Sequence, residues 1–222
     1  MTDVTTNVQG LANTIVRAMP EMDATEQRVA LSLYRELAKG TPVSLEHLGG
    51  RVGLPPERVG TLLDQWPGIY YDEQRRVMGF WGIALRDMPH RMRVADRALY
   101  AWCAWDGLFI PPLLQQEAQV ESTCPVTGQT VRLTVGPDGV RDVSPPDAVV
   151  SFLTPKAEFD ADVVMTFCHF VLFFASPQAG ATWVKQHPDT FLLSVEEAFQ
   201  VGRLVNVGRY GRAAMEGEPA HA

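Results

Sequence analysis

One aspartate and three cysteines are the residues whose types and spacing best suit chemistry in this chain. Cys103 lies three positions before Asp106, and tryptophans at positions 102 and 105 lie beside them. Residues three apart on a helix share a face, so the thiol and the carboxyl are expected to meet. Apolar surroundings raise the pKa of a buried carboxyl, which predicts that Asp106 can hold and deliver a proton near neutral pH. The alternative is that Cys103 is a small core side chain and Asp106 ends a helix.

The other two cysteines lie far along the chain. Cys168 is predicted to begin an apolar strand, and its neighbour His169 is expected to point to the opposite face and to be structural. Cys124 precedes Pro125 in a predicted turn and is expected to pack beneath it. Taken alone, each of these two thiols is also compatible with an inert position in the core.

The spacing of the cysteines bears on metal binding. No two of them are close in sequence, and structural zinc sites favour local pairs, so a zinc knuckle is not expected. Two thiolates brought together from distant segments instead suit a soft metal of low coordination number. An odd number of cysteines predicts no disulfide framework and a reducing compartment.

The first part of the chain is predicted to be helical. Asp23 and Glu26 form a capping box, and Ser44 and Pro55 begin two further short helices. Residues 69–81 then suggest a β-hairpin. Three helices followed by a hairpin is the order of a winged helix-turn-helix.

The charges of this region, residues 1–82, bear on DNA binding. Its third helix carries Arg58 against Glu57 and Asp64, and the whole chain has 26 acidic and 19 basic residues with a net charge of −7. Reading DNA requires side chains that reach base edges, supported by clustered positive charge. Residues 1–82 are therefore predicted to be a winged-helix-like packing region, and no nucleic-acid partner is expected.

The second region, residues 83–222, is predicted to be an α+β core around an antiparallel sheet. A helix is expected over residues 94–105, with Pro111 and Pro112 stopping or redirecting the chain. Short strands separated by turns are expected over residues 118–154. The apolar segment from Phe167 to Ala175 follows, then a helix capped by Ser176 and a last helix with a capping box at Ser194 and Glu197; residues 213–222 are expected to fray.

Length and composition favour a folded protein outside the membrane. The chain has 222 residues, of which 46% are apolar, enough for a sizeable core. Its longest apolar run, residues 163–175, is too short to span a bilayer, and no signal peptide is recognised at the N-terminus. A cytoplasmic protein without membrane association is predicted.

Four segments, taken in order, resemble the organomercurial (alkylmercury) lyases of bacterial mercury resistance. They run from Leu99 to Asp106, from Cys124 to Gly128, from Phe167 to Ser176 and from Ser194 to Phe199. The resemblance extends from about residue 24 to about residue 207. It implies a winged-helix-like N-terminal region followed by a catalytic core of antiparallel strands and helices.

The resemblance also implies a site and a reaction. The catalytic residues would be Cys103, Asp106 and Cys168, which would also bind the substrate or product mercury, whereas Cys124 would be structural. The reaction would be protonolysis of a carbon–mercury bond to give a hydrocarbon and Hg(II). No organic cofactor is implied; small cytosolic thiols or mercuric reductase would accept the Hg(II).

Two other functions remain open at this stage. The first is a metal-responsive transcriptional regulator, with a winged helix that reads DNA and thiols that sense the metal. The second is a hydrolase with Cys103 as nucleophile and His169 as base, which requires the two side chains to lie within hydrogen-bonding reach.

Overall fold

The computed structural model describes residues 7–211, which form a mixed helical and antiparallel β fold. The helices are α1 (Val8–Ala18), α2 (Ala24–Leu37), α3 (Leu45–Val52), α4 (Pro56–Leu63), α5 (Asp106–Leu114), α6 (Val163–Thr166), α7 (Pro177–Gln186) and α8 (Val195–Tyr210). The strands are β1 (Ile69–Tyr71), β2 (Val77–Phe80), β3 (Ile83–Ala84), β4 (His90–Val94), β5 (Arg97–Ala101), β6 (Ala118–Thr123), β7 (Thr130–Val135), β8 (Val140–Ser144), β9 (Val149–Leu153), β10 (Phe173–Phe174) and β11 (Thr190–Ser194). The predicted fraying of residues 213–222 concerns a segment outside the described residues.

Two antiparallel sheets organise the strands. The larger has the order β1-β2-β3-β5-β4-β6-β7-β8, and the smaller has the order β10-β9-β11. Strand β2 pairs with β3, and Phe80 lies opposite Ile83. The larger sheet therefore contains strands from both sides of residue 82, where the two predicted regions meet. Strand β4 alternates between buried and exposed residues, the pattern of a strand with one face on the core.

The local signals for the N-terminal helices are confirmed. The Asp23 carboxylate accepts from two backbone amides of α2 while Glu26 accepts from the amide of Asp23, which completes the capping box. Ser44 caps α3 by accepting from the amide of His47, and Pro55 precedes α4. Strands β1 and β2 then form an antiparallel pair.

The helix predicted over residues 94–105 is wrong. Strands β4 and β5 form a hairpin whose turn places Ala95 at a φ of +49°. The apolar residues that suggested a helical period instead alternate along these strands, with Val94 and Leu99 buried. Trp102 and Trp105 lie in the irregular connection that follows.

The prediction that two prolines stop the chain is also wrong. Pro111 and Pro112 lie inside α5, although neither has an amide to donate. Every residue of this nine-residue helix is buried, so packing against the core compensates for the hydrogen bonds that the two prolines cannot donate. The chain turns only at Gln115, which adopts a left-handed conformation with a φ of +54°.

Helix α8 joins the N-terminal helices to the sheet. It packs on both α1 and α5. A side chain at Gly202 would place its Cβ 2.6 Å from the Cβ of Phe109, so a glycine is needed where α8 crosses α5. The Asn206 side-chain amide donates to the carbonyl of Phe109 at 2.8 Å, which satisfies a buried polar pair in this contact.

Candidate active site

Cys103 and Asp106 form a tight corner between β5 and α5. Asp106 is the first residue of α5, and its Oδ2 atom accepts a hydrogen bond of 2.7 Å from the backbone amide of Cys103. The expected proximity is therefore correct, but its cause differs. The carboxylate reaches back from a helix N-terminus to an amide three residues earlier, as an acidic residue in a capping box does, and the two residues do not share a helix face.

A two-residue turn between β2 and β3 fixes the other side of the carboxyl group. Trp81 and Gly82 both have positive φ angles, +33° and +97°, as tight hairpin turns require. A Cβ atom on Gly82 would lie 2.5 Å from Oδ1 of Asp106, so the backbone approaches the carboxyl group closely. The Tyr34 hydroxyl donates to the carbonyl of Trp81 at 2.8 Å and holds this turn from α2.

Cys168 approaches from the opposite side on an irregular segment. The expectation that it begins a strand is wrong: residues 168–170 form a 3₁₀ turn directly after α6, and the strand is limited to Phe173–Phe174. The amide of Ala104 donates to the carbonyl of Val171 at 2.9 Å, which joins this segment to the corner. The Ser151 hydroxyl donates to the carbonyl of Phe170 and anchors the same segment to β9.

The three side chains converge on one point. The sulfur atoms of Cys103 and Cys168 and a carboxylate oxygen of Asp106 all lie within 4.8 Å of one another. Thiolates bind zinc at about 2.3 Å, so two sulfurs at this separation can share a metal ion of that size or larger with little movement. All three residues are buried, which suits a soft metal held by sulfur ligands away from water.

Burial dominates the ionisation of the acid. It raises the pKa of Asp106 from 3.8 to about 7, although hydrogen bonds from Cys103 and Trp102 oppose the shift. At neutral pH this carboxyl group can therefore both accept and release a proton. Such a pKa near the working pH is what a proton carrier in catalysis requires.

The two thiols differ in their ionisation. Burial, the hydrogen bond to Cys168 and the charge of Asp106 raise the pKa of Cys103 well above its usual value. For Cys168 the hydrogen bond from Cys103 lowers the pKa, but burial and the Asp106 charge outweigh it, so that pKa is raised less strongly. Both thiols are therefore protonated at neutral pH before a metal binds.

Aromatic side chains enclose the three residues. The small cavity beside Cys168 and Asp106 has a volume of about 20 Å³, room for about one water molecule. The indole of Trp105 donates to the carbonyl of Ala198 at 3.1 Å, which fixes the ring beside the site. The cavity is lined by Trp81, Gly82, Trp102, Trp105, Asp106, Phe109, Phe159, Val163, Phe167 and Cys168.

Two residues considered from the sequence lie outside this cluster. Cys124 is buried where β6 ends, and its backbone carbonyl accepts from the amide of Gly128 in the expected turn. His169 is exposed and packs edge-on against Phe170. Cys103 is fully buried and His169 does not belong to the group that contains it, so the structure gives no support to a hydrolase that uses Cys103 and His169.

The sequence reasoning missed the residues that support the acid. Gly82, Trp81 and Tyr34 have no spacing relative to Asp106 that reveals a contact. The available signal was the Trp81-Gly82 pair between two short apolar runs, which is compatible with a tight turn. The pairing of that turn with Asp106 depends on the tertiary fold.

The two arginines of the hairpin after α4 form ion pairs with nearby carboxylates. Arg75 pairs with Asp64 at 2.6 Å and lies over the ring of Tyr71, while Arg76 pairs with Asp72. These cations are therefore partly neutralised by neighbouring carboxylates. This arrangement gives no support to a DNA-binding surface on the hairpin.

Comparisons with known proteins agree with the geometry. The profile of the alkylmercury lyase family matches residues 83–206. Alkylmercury lyases of Pseudomonas putida and Staphylococcus epidermidis are 43% and 44% identical, covering 84% and 77% of this chain and 85% and 78% of their own lengths. The crystal structure of the mercury-bound form of MerB2 has a similar fold, with a TM-score of 0.73 at 18% identity over 90% of this chain and 98% of that one. This chain belongs to the alkylmercury lyase family.

Proposed function

We propose that the protein cleaves carbon–mercury bonds by protonolysis, giving a hydrocarbon and Hg(II). The observation that carries this function is the buried cluster of Cys103, Cys168 and Asp106, whose ligand atoms lie within 4.8 Å of one another. Two thiolates can hold mercury while one carboxyl group of suitable pKa supplies the proton. Membership of the alkylmercury lyase family supports the same reaction.

Capture of the substrate begins at Cys168. Cys168 lines the small cavity and is 5% exposed, whereas Cys103 is fully buried, so Cys168 is the sulfur that an entering mercurial meets first. The sulfur exchanges with the thiol that carries the organomercurial, forming a sulfur–mercury bond and releasing the carrier thiol. The soft metal and the thiolate are well matched, so this exchange needs no further activation.

Cleavage requires the second thiol and the acid. As Cys103 binds mercury, its proton passes to the Asp106 carboxylate, and the second sulfur increases electron density at the metal and weakens its bond to carbon. The protonated carboxyl group then delivers the proton to carbon as the carbon–mercury bond breaks. The enclosing aromatic rings exclude water, which keeps the proton directed to carbon.

Release of the product depends on other thiols. After hydrocarbon loss, Hg(II) is bound by Cys103 and Cys168 with Asp106 beside it. Two small cytosolic thiols, or the thiols of mercuric reductase, remove it by exchange and return both cysteines to the thiol form. No organic cofactor is required, and a cytoplasmic location provides the reducing thiols. No helix within residues 7–211 has the length and apolarity needed to cross a membrane.

The decisive experiment follows both products. The protein is incubated with phenylmercury and excess thiol, and benzene is measured in the headspace. A second incubation with stoichiometric thiol measures Hg(II) retained after gel filtration. Benzene release with one Hg(II) retained per chain is expected. Absence of benzene from the folded protein contradicts the proposal.

The three cysteines provide matched controls. Cys103→Ser and Cys168→Ser are each expected to lose benzene release by more than about 10³-fold, because one sulfur cannot complete the mercury site. Cys124→Ser alters an equally buried thiol outside the cluster and is expected to keep its turnover. Comparable turnover by all three variants would contradict the assigned roles.

For the N-terminal region, we propose a winged-helix-like origin for residues 1–82 and an α+β catalytic unit in residues 83–222. The sequence α2, α3, α4 and the β1–β2 pair has the order of such a fold. We assign this region a packing role, because Arg75 and Arg76 pair with carboxylates. The regulator hypothesis is accordingly not favoured.

A further inference from the structure

A second, larger cavity lies beside the active site. It has a volume of about 470 Å³ and opens between the segment after β9 and the end of α7. Its apolar lining includes Leu153 and Phe170, and the Phe170 ring packs edge-on against His187. We call this cavity the 153–190 cleft, after the first and last of its lining residues.

Two aromatic rings separate the 153–190 cleft from the catalytic cysteines. Phe159 and Phe167 line both the cleft and the small cavity that contains Cys168 and Asp106. Their ring centroids lie 5.1 Å apart in an edge-on arrangement. The Phe167 ring is buried, whereas Phe159 is half-buried and follows a stretch of exposed residues. The wall between the two cavities is therefore thin and consists of side chains.

The two cavities differ in size, and only the larger one can hold an aryl group. The inner cavity of about 20 Å³ has room for about one water molecule, whereas a benzene ring needs a space of about 150 Å³. An aryl group bonded to mercury between the two sulfurs therefore has to extend out of the inner cavity. The 153–190 cleft, which begins behind Phe159 and Phe167, has more than enough volume for it.

We propose that the 153–190 cleft admits the organomercurial and holds its organic group, with Phe159 and Phe167 as the rings that select its size. This inference rests on the proposed function. The organic group lies against the two rings while its mercury atom reaches Cys168. Release of the hydrocarbon follows the same path in reverse.

The charges at the mouth of the cleft suit this occupant. Lys156 pairs with Asp189 at 2.9 Å, and Glu158 and Asp160 lie exposed at the same mouth. The formal charges of these four side chains therefore sum to a negative value. The rim is therefore polar and the interior apolar, which suits a thiol-bound organomercurial that buries its hydrocarbon part inside the cleft.

A blocking substitution tests the route. Ala157 is exposed and lines the cleft, so Ala157→Trp fills the opening without disturbing the core. Its kcat/KM for phenylmercury is expected to fall about tenfold and that for methylmercury about twofold, since the smaller group needs less of the cleft. Ala161→Trp is the matched control, because Ala161 is exposed on the same segment but does not line the cleft.

An enlarging substitution provides the opposite test. Phe159→Ala removes one ring of the wall and is expected to raise the ratio of kcat/KM for a bulky aryl mercurial to that for methylmercury about tenfold. Circular dichroism establishes that each variant is folded. An unchanged ratio in folded Phe159→Ala would overturn the assignment of this residue.

Thiol labelling separates this inference from the proposed function. In a Cys124→Ser background, an aromatic maleimide reports only on Cys103 and Cys168. Ala157→Trp is expected to slow labelling about tenfold and Ala161→Trp to leave it unchanged. If phenylmercury is cleaved but the two tryptophan variants behave alike in both assays, the cleft is not the route and the lyase assignment stands. If phenylmercury is not cleaved but Ala157→Trp still slows labelling more than Ala161→Trp, the cleft leads to the cysteines and the lyase assignment is wrong.

Discussion

The two halves of the active site are constructed differently. Cys103 and Asp106 lie where a strand, a helix and a two-residue turn meet, and the carboxyl group is fixed by the Cys103 amide and the Gly82 backbone. Cys168 lies in a 3₁₀ turn that follows the four-residue helix α6, in which Met165 is 63% exposed. The Asp106 carboxyl group is thus held by direct backbone contacts, whereas Cys168 is held through the hydrogen bonds of its segment to Ala104 and Ser151.

Among substitutions that leave the three clustered side chains in place, the largest effect is expected where the backbone contacts Asp106. Gly82→Ala would place a methyl group 2.5 Å from Oδ1 of Asp106 in a backbone conformation that already disfavours a side chain. The carboxyl group must then move, and kcat for benzene release is expected to fall more than about 100-fold. Steady-state kinetics at saturating phenylmercury measure this loss.

Gly128→Ala is the matched control for that substitution. Gly128 has a similar positive φ of +71°, but a Cβ atom there meets nothing within 4 Å. Gly128→Ala is expected to lower the free energy of unfolding, because a side chain at this φ strains the backbone, while kcat stays unchanged. Equal losses of kcat in both alanine variants would mean that backbone strain, and not the position of Asp106, limits the reaction.

The raised pKa of Asp106 predicts a stability cost. The folded pKa of about 7 lies above the unfolded value of about 3.9, so the native state binds more protons between these values and stability falls as pH rises from 4 to 7. Over this range the free energy of unfolding is expected to fall by about 4 kcal/mol at most, because each pKa unit corresponds to about 1.4 kcal/mol. In urea unfolding between pH 4.5 and 8, Asp106→Asn is expected to lack this decline, and a parallel decline in both proteins would contradict it.

The same ionisation predicts the pH dependence of activity. The ionised carboxylate must accept the Cys103 proton, so kcat/KM is expected to rise through an apparent pKa of about 7 and then level off. Substituting Cys124, outside the cluster, is expected to leave this profile unchanged. A profile without an inflection between pH 6 and 8 would remove Asp106 from this role.

A smaller effect is expected from the support behind the turn. Tyr34→Phe removes the hydroxyl that donates to the Trp81 carbonyl but retains the ring packed on Phe80. We expect a several-fold fall in kcat with little change in KM, together with a shifted pKa in the activity profile. Met165→Ala, an exposed position in α6 on the Cys168 side of the site, is expected to change neither quantity.

Local signals in the sequence were sufficient for much of the fold. Capping boxes at Asp23 and Ser194 and the turns between β6 and β9 were predicted correctly, because each depends on residues a few positions apart. The β4–β5 hairpin was mistaken for a helix, since Val94, Ala98 and Leu99 fit both periods over so short a run. Pro111 and Pro112 misled because burial of the whole of α5 outweighs their missing amides.

The predicted grouping of Cys103, Asp106 and Cys168 agrees with the cluster in the structure, but the way the fold builds that cluster could not be predicted. The i, i+3 spacing placed Cys103 near Asp106, while the inclusion of Cys168 came from the family resemblance. The contact between Asp106 and Gly82 could not be predicted, because it depends on how β2 and β3 pair and where α5 begins. The size of the cavity and the access cleft likewise follow from tertiary packing.

A series of hydrogen bonds connects helix α8 to the Trp81-Gly82 turn. Arg209 donates to the Tyr210 hydroxyl, the two tyrosine hydroxyls are hydrogen-bonded to each other, and Tyr34 ends the chain on Trp81. Helix α2 and the last helix, α8, are thus connected at the backbone turn that contacts Asp106. A substitution at either tyrosine is therefore expected to act on the Asp106 carboxyl group through this turn, although neither side chain belongs to the cluster.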